Sequence, residues 1–139
     1  MTTAPGTPST PSTQYPVDQF LSQLSSGTGI RADVWTDDAT LDATVPHWRF
    51  ERAGAEGVAT ELSGWYGAPT TIEAAVRRPI PGGEAVELEL SWAEDGVPHA
   101  AHQLHLFTVD GDRISRDTVF CGGRWPAALL AEMEAARDD

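Results

Sequence analysis

Two Asp-Gly dipeptides, Asp95-Gly96 and Asp110-Gly111, constrain this chain more than any other feature. Each lies between runs in which apolar residues alternate. A type I′ hairpin turn needs positive φ at both central positions, a conformation that Asp and Gly tolerate. The stretch Gly83–Cys121 therefore reads as three antiparallel strands, Glu84–Trp92, His99–Val109 and Ile114–Cys121, joined by turns at the two dipeptides. The remaining segments read as cover for one face of this meander.

Counting back from a two-residue turn at Asp95-Gly96 sets Trp92 opposite His99, Leu90 opposite Ala101, Leu88 opposite Gln103 and Val86 opposite His105. Cross-strand partners share a face. Val86, Leu88, Leu90 and Trp92 form an apolar set, so Ala101, Gln103, His105 and Phe107 are expected to point inward, and Glu87, Glu89, His102 and Leu104 outward. His99, His102 and His105 have the spacing of a metal comb, but strand alternation turns His102 away from the other two. No metal site is expected. The third strand depends on one residue of register. A two-residue turn at Asp110-Gly111 directs Ile114, Arg116, Thr118 and Phe120 inward, whereas a bulge directs Asp117, Val119 and Cys121 inward. Ile114 and Val119 share a face only if a bulge follows Ile114, and this favours an inward Asp117.

Composition excludes several classes of function. The chain has 139 residues, 40% of them apolar, which suits a single domain. Its net charge is −12 and all nine basic residues are arginine. Such a surface repels a phosphate backbone, so nucleic acid is not an expected partner. Without lysine, neither Schiff-base chemistry nor a P-loop is available. The single cysteine, Cys121, excludes an internal disulfide and a multi-cysteine zinc site, and fits a reducing compartment. No stretch has the length of a membrane span, and the N-terminus lacks the basic and apolar regions of a secretory signal, so the expected location is cytoplasmic.

In chain order, residues 1–14 form a Thr/Pro/Ser tail expected to be disordered. Val17, Phe20, Leu21 and Leu24 then follow at helical spacing until Ser25-Ser26-Gly27. Ile30, Val34 and Trp35 suggest a weaker second helical turn, Asp37-Asp38 a corner, and Thr40–Val45 a short strand. Val45-Pro-His47-Trp48-Arg49 reads as a loop at a pocket mouth. Ala55, Val58, Ala59, Leu62, Trp65 and Tyr66 predict an amphipathic helix over 55–66, ended by Gly67 and Pro69. Thr71–Arg78 reads as a strand interrupted by Pro79. After Gly122-Gly123, Trp125-Pro126 opens a C-terminal helix with Leu129, Leu130 and Met133 on one side, within residues 122–139.

The order of these elements, with Trp35-Thr-Asp-Asp-Ala-Thr-Leu-Asp, Gly54-Ala-Glu-Gly-Val-Ala-Thr-Glu-Leu and the Glu-Asp-Gly and Val-Asp-Gly-Asp-Arg-Ile turns, resembles the nuclear transport factor 2-like superfamily. The likeness is to its SnoaL-like branch and covers roughly residues 16–121. It implies an α+β fold over residues 15–121: a cone-like curved antiparallel sheet wrapped around N-terminal helices, with an internal hydrophobic pocket and, usually, a homodimer packed through the outer sheet face. The superfamily includes ketosteroid isomerase, scytalone dehydratase, limonene epoxide hydrolase and polyketide cyclases, together with members that bind without catalysis, so fold does not settle function.

Carried over by position, the ketosteroid isomerase base falls on Ala43, with Asp42 beside it on the opposite strand face. The protonated aspartate of those enzymes falls on Gln103, and their helix tyrosine has no equivalent, since this helix carries Phe20. The carboxylate that epoxide hydrolases and SnoaL-type cyclases place on the last strand falls near Asp117, with Gln103 and His105 as polar partners. The hydrolases' arginine and second aspartate are missing. The resemblance thus implies Asp117 and His105 as catalytic candidates; Gln103, Trp35, Trp48, Trp65, Tyr66, Trp92, Phe107 and Val119 are candidate pocket wall, since aromatic walls with a few inward polar groups suit small-molecule sites, with plain core as the alternative for the aromatic residues. A carboxyl sunk among aromatic rings has its charged form disfavoured and exchanges protons near neutral pH. The expectation is a cofactor-independent acid–base enzyme of cyclase, isomerase or hydrolase type acting on a small apolar molecule. The alternative is a non-catalytic dimeric domain that binds a small molecule or serves as scaffold, with Asp117 paired to Arg113 or Arg116, and His105 a satisfied core histidine.

Overall fold

The computed structural model of the chain describes residues 14–137. The tail expected to be disordered, residues 1–14, lies outside the described residues except for Gln14, which opens a helix. Helix α1 (Gln14–Ser26) is followed by a 3₁₀ turn (Ala32–Val34), strands β1 (Trp35–Val45) and β2 (Trp48–Ala53), helix α2 (Ala55–Trp65), strands β3 (Thr71–Ile80), β4 (Gly83–Glu94), β5 (Val97–Asp110), β6 (Arg113–Cys121) and β7 (Trp125–Pro126), and helix α3 (Ala127–Arg137).

The strands form one sheet in the order β2-β1-β6-β5-β4-β3, with the short β7 paired to β5. Every pairing is antiparallel except β1 with β6, which run parallel. The sheet is therefore mixed, where a wholly antiparallel one was expected. The parallel pair exists because the chain leaves β1 through β2 and α2 and returns to the same neighbourhood only at β6. No described helix is long and apolar enough to cross a membrane.

The inner sheet face is packed by α1, through Val17, Phe20, Leu21 and Leu24, and by α2, through Val58, Ala59 and Leu62. Full burial of each large side chain contributes about 1.5–3 kcal/mol, which holds α2 despite Gly57 and Gly64 in its middle. Helix α3 lies against β5 and β7 and has no buried residue.

The β4–β5 register is the expected one throughout, from Glu94↔Val97 to Val86↔His105. Asp95 (φ 51) and Gly96 (φ 78) are both left-handed, as a type I′ turn requires. The second hairpin turns one residue later than expected, at Gly111-Asp112, with Asp110 paired to Arg113. Val109 then opposes Ile114 and Thr108 opposes Arg116, so Ser115 is the extra residue of a bulge. Asp117 consequently faces inward beside Phe107.

Other elements depart from expectation. Asp37 and Asp38 lie inside β1, where its register with β6 shifts between Trp35 and Thr40, so the corner is an irregularity in one long strand. The expected loop at 45–49 is instead a tight turn at Pro46-His47 leading into β2. Strand β3 continues through Pro79 to Ile80 because it is an edge strand, where the missing N–H breaks no ladder on the free side.

The outer side of β1 carries an ion pair that ties three strands together. Asp42 accepts Arg49 Nε at 3.0 Å and Nη2 at 2.7 Å across the β1–β2 hairpin, and Arg116 Nη2 of β6 stands 3.4 Å away. The hydrogen-bonded Arg49 guanidinium holds the Asp42 carboxyl below its ordinary range, although burial pulls the other way. The folded state therefore binds fewer protons than the unfolded chain between the two pKa values, and stability rises with pH there. This contribution is complete above the unfolded value of about 3.9 and is lost as pH falls through the depressed folded value. Asp42→Asn is expected to flatten the acid limb of stability against pH, measured by urea denaturation; an unchanged slope would refute the assignment.

Candidate functional site

Gln103, His105 and Phe107 project inward from alternate positions of β5, and Asp117 and Val119 project inward from β6 beside them. The register draws His105 and Asp117 together: His105 Nδ1 lies 2.8 Å from Asp117 Oδ2, and both side chains are fully buried. On its other side, His105 Nε2 lies 3.1 Å from Gln103 Oε1 and 3.3 Å from the Tyr66 hydroxyl. Tyr66, at the C-terminal end of α2, donates its O–H to Gln103 Oε1 at 2.6 Å. The Gln103 amide nitrogen donates to Cys121 Sγ at 3.6 Å. The His105 ring stacks on Phe107, 5.2 Å between centroids and 10° between planes, with Phe20 of α1 tilted against it at 5.4 Å.

The hydrogen-bond pattern fixes a proton count. Gln103 Oε1 can only accept, so the His105 nitrogen facing it carries a proton. The remaining proton lies between His105 Nδ1 and Asp117 Oδ2. Whichever partner holds it, the pair is neutral as a unit, either imidazolium with carboxylate or imidazole with carboxylic acid. That neutrality suits a site with no exposure to water. Asp117 Oδ1 has no hydrogen-bond partner among the described residues. Burial, and then the nearby charge of Asp117, push the Tyr66 phenol well above its ordinary pKa, so it remains a hydrogen-bond donor.

Gln103 and Tyr66 also line a cleft of about 210 Å³, together with Trp65, Thr70, Leu90, Trp92, Glu94 and Arg124. A more open depression of about 400 Å³ adjoins it, sharing Trp65, Gln103 and Arg124 and adding Val45, Pro46 and Cys121. His105 and Asp117 lie one layer deeper, behind Gln103 and Tyr66.

Of the candidate wall residues, Gln103, Trp65, Tyr66 and Trp92 line the cleft. Trp35, Phe107 and Val119 are fully buried core, with Trp35 edge-on to Phe20 at 6.0 Å. Trp48 is 67% exposed at the start of β2, away from the cleft lining. His102 bonds Glu87 on the outer sheet face at 2.7 Å, while His99 stacks on Trp92, so the three histidines do not converge.

Arg124 and Glu94 were not singled out by the sequence reading. The Arg124 guanidinium lies 4.6 Å over the Trp92 ring, donates to the Trp65 carbonyl at 3.1 Å and pairs with Glu94, joining β4, the end of α2 and the segment after β6 at the cleft rim. Hydrogen bonds from Trp92 Nε1 and Arg124 lower the Glu94 carboxyl's pKa. A lone arginine after Gly122-Gly123 carries no motif that would have pointed to this role.

No family model matches the chain, and no curated protein matches it. Solved structures do resemble it. An NTF2-like protein from Anabaena variabilis is 18% identical with a TM-score of 0.66, over 79% of this chain and 86% of that one. SalBIII, an epoxide hydrolase/cyclase-like enzyme in pyran ring formation in the polyether salinomycin, is 18% identical with a TM-score of 0.62, over 79% of this chain and 90% of that one. A steroid delta-isomerase from Pseudomonas aeruginosa is 17% identical with a TM-score of 0.56, over 88% of this chain and 86% of that one. At these identities the likeness is one of fold.

Proposed function

We propose, for a chain that has the nuclear transport factor 2-like fold, a cofactor-independent acid–base site acting on a small, mostly apolar molecule by cyclase, isomerase or hydrolase chemistry. One observation carries the reading: an unbroken hydrogen-bonded run from Asp117 through His105 to Gln103 and Tyr66, whose last two members line the cleft. That fold neighbours include an epoxide hydrolase/cyclase-like enzyme and a steroid delta-isomerase supports the same class.

In this reading Tyr66 is the group that meets the ligand. Its phenol, kept protonated by burial, turns its O–H from Gln103 Oε1 to a ligand oxygen on which negative charge develops, as an oxyanion-hole donor does. When that oxygen takes the proton, Tyr66 regains one from His105 Nε2. The imidazole is then neutral with its Nδ1–H on Asp117, and the pair carries one negative charge until a proton returns from product or water. Gln103 fixes the rotation of both Tyr66 and His105. Trp65, Trp92 and Leu90 supply an apolar wall.

The test is turnover of a panel of small epoxides and β,γ-unsaturated ketones, with products read by mass spectrometry. Asp117→Asn keeps the shape and removes the acid–base function, and is expected to lower turnover about 10²–10⁴-fold. Tyr66→Phe removes the donor and is expected to lower it about 10²–10³-fold. Undiminished turnover by Asp117→Asn overturns the reading.

The burial of His105 and Asp117 favours a second reading, in which the cleft binds a ligand and the pair only positions Gln103 and Tyr66. It predicts quenching of Trp65 and Trp92 fluorescence by panel members with no product formed.

A further inference from the structure

The cleft beside Tyr66 and the more open depression next to it share part of their border: Trp65, Gln103 and Arg124, with Gly64, line both. Trp65 is fixed, with its indole N–H on Glu61 at 3.0 Å and its ring edge-on to Phe50 and Tyr66. Gln103 is held by Tyr66, His105 and Cys121. Arg124 differs. It reaches in from the segment after β6 with its side chain half exposed, and its guanidinium ties the two banks of the cleft together. On one bank it meets the Trp65 carbonyl at the end of α2, and on the other the Trp92 ring and Glu94 of β4. Among the described residues lining the two depressions, Arg124 is the one cation and Glu94 the one carboxylate, and they neutralise each other.

We propose that Arg124 determines ligand size: its guanidinium is the crossbar that closes the Tyr66 cleft against the adjoining depression. The cleft then takes a single uncharged ring bearing one hydrogen-bond-accepting oxygen, and refuses a fused second ring. This rests on the reading of Tyr66 as the group that meets the ligand. A cavity of about 150 Å³ accommodates benzene. The cleft of about 210 Å³ therefore holds one ring with a small polar substituent, against Leu90 and Trp92, and a second ring would have to enter the depression of about 400 Å³. The ligand is uncharged because the ion pair at the rim leaves no net charge to receive an ion that has given up its water. The crossbar holds because moving it separates a charge-assisted pair and frees the Trp65 carbonyl, one of the acceptors that a helix C-terminus leaves without an intrahelical partner.

The test is calorimetric titration of the full-length chain with cyclohexanone and with 2-decalone, which present the same carbonyl on one ring and on two fused rings. In the unaltered chain cyclohexanone is expected to bind more tightly by about tenfold or more, against the order that apolar area alone would give. In Arg124→Ala the order is expected to reverse, as the second ring enters beside Val45 and Pro46. Glu94→Gln weakens the crossbar and leaves its contact with Trp65, so it is expected to fall between the two and serves where Arg124→Ala folds poorly. An arginine that merely caps α2 would alter stability and leave the ratio of the two affinities as it was. An unchanged ratio in Arg124→Ala, or in Glu94→Gln where only that variant folds, overturns the proposal; so does an unaltered chain that binds neither ketone or prefers 2-decalone. Tyr66→Phe is expected to weaken both ketones by a similar factor. If it weakens neither while the ratio still answers to Arg124, size selection stands and the reading of Tyr66 falls.

Discussion

The double variant His105→Leu/Asp117→Leu is expected to fold at least as stably as the unaltered chain, whereas His105→Leu alone is expected to lose about 3–5 kcal/mol. Among the described residues, the single variant removes the one partner of Asp117 Oδ2, and Asp117 Oδ1 already has none, so a fully buried carboxyl is left without a hydrogen bond. Asp117→Leu alone leaves His105 Nδ1 unpaired, a smaller loss of about 1–3 kcal/mol. Replacing both partners removes the desolvation penalty and fills the space with apolar atoms in a wall that Phe20 and Phe107 already make apolar. Urea denaturation of the four proteins closes the cycle. A double variant as unstable as His105→Leu would mean that the pair is architectural. Recovery would mean that the fold pays for a pair it does not need, which is the pattern of a functional site under a stability–activity trade-off.

How much of this site was legible before any coordinates depended on what anchored each register. The β4–β5 pairing followed from Asp95-Gly96 because a type I′ turn leaves no freedom, and Gln103 and His105 faced inward as counted. The inward Asp117 followed from an inconsistency, since Ile114 and Val119 are both apolar yet of opposite parity. The bulge at Ser115 resolves it, although the turn beside it closes at Gly111-Asp112 and not at Asp110-Gly111. In both cases the signal was local in sequence.

What escaped was tertiary or lacked a buried face. Strand β2 carries no period-two hydrophobic signal because nearly all of it is exposed, from Trp48 to Ala53, and it is held by main-chain pairing and by Arg49 on Asp42. The aromatic residues Trp35, Trp65 and Trp92 look alike in sequence, yet the first is core and the others line the cleft; the difference is set by α1 and by Arg124, each far away in the chain. Phe20 read as one apolar position of a helix. Its contact with His105 depends on where α1 docks, which helical spacing does not specify.

Gly83→Ala is expected to be the most damaging small substitution in the β3–β4 hairpin, by about 3 kcal/mol or more, because overpacking here meets backbone and not a mobile side chain. Gly83 opens β4, buried, opposite Thr108 of β5. A methyl group added there would overlap the Phe107 carbonyl oxygen, stand 2.8 Å from its carbonyl carbon and 3.1 Å from Thr108 Cα. Only separation of β4 from β5 relieves that clash, and the first residue displaced is Phe107, on which His105 stacks. The neighbouring Gly82 is the contrast: it sits at φ 75 with open space around it, so Gly82→Ala meets backbone strain without a clash and is expected to lose only about 1 kcal/mol. Thermal and urea denaturation of the two variants measure the difference. If Gly83→Ala unfolds the chain only in part, its His105 ring resonances are expected to shift while those of Gly82→Ala do not, because the added methyl meets Phe107, the residue on which the His105 ring stacks.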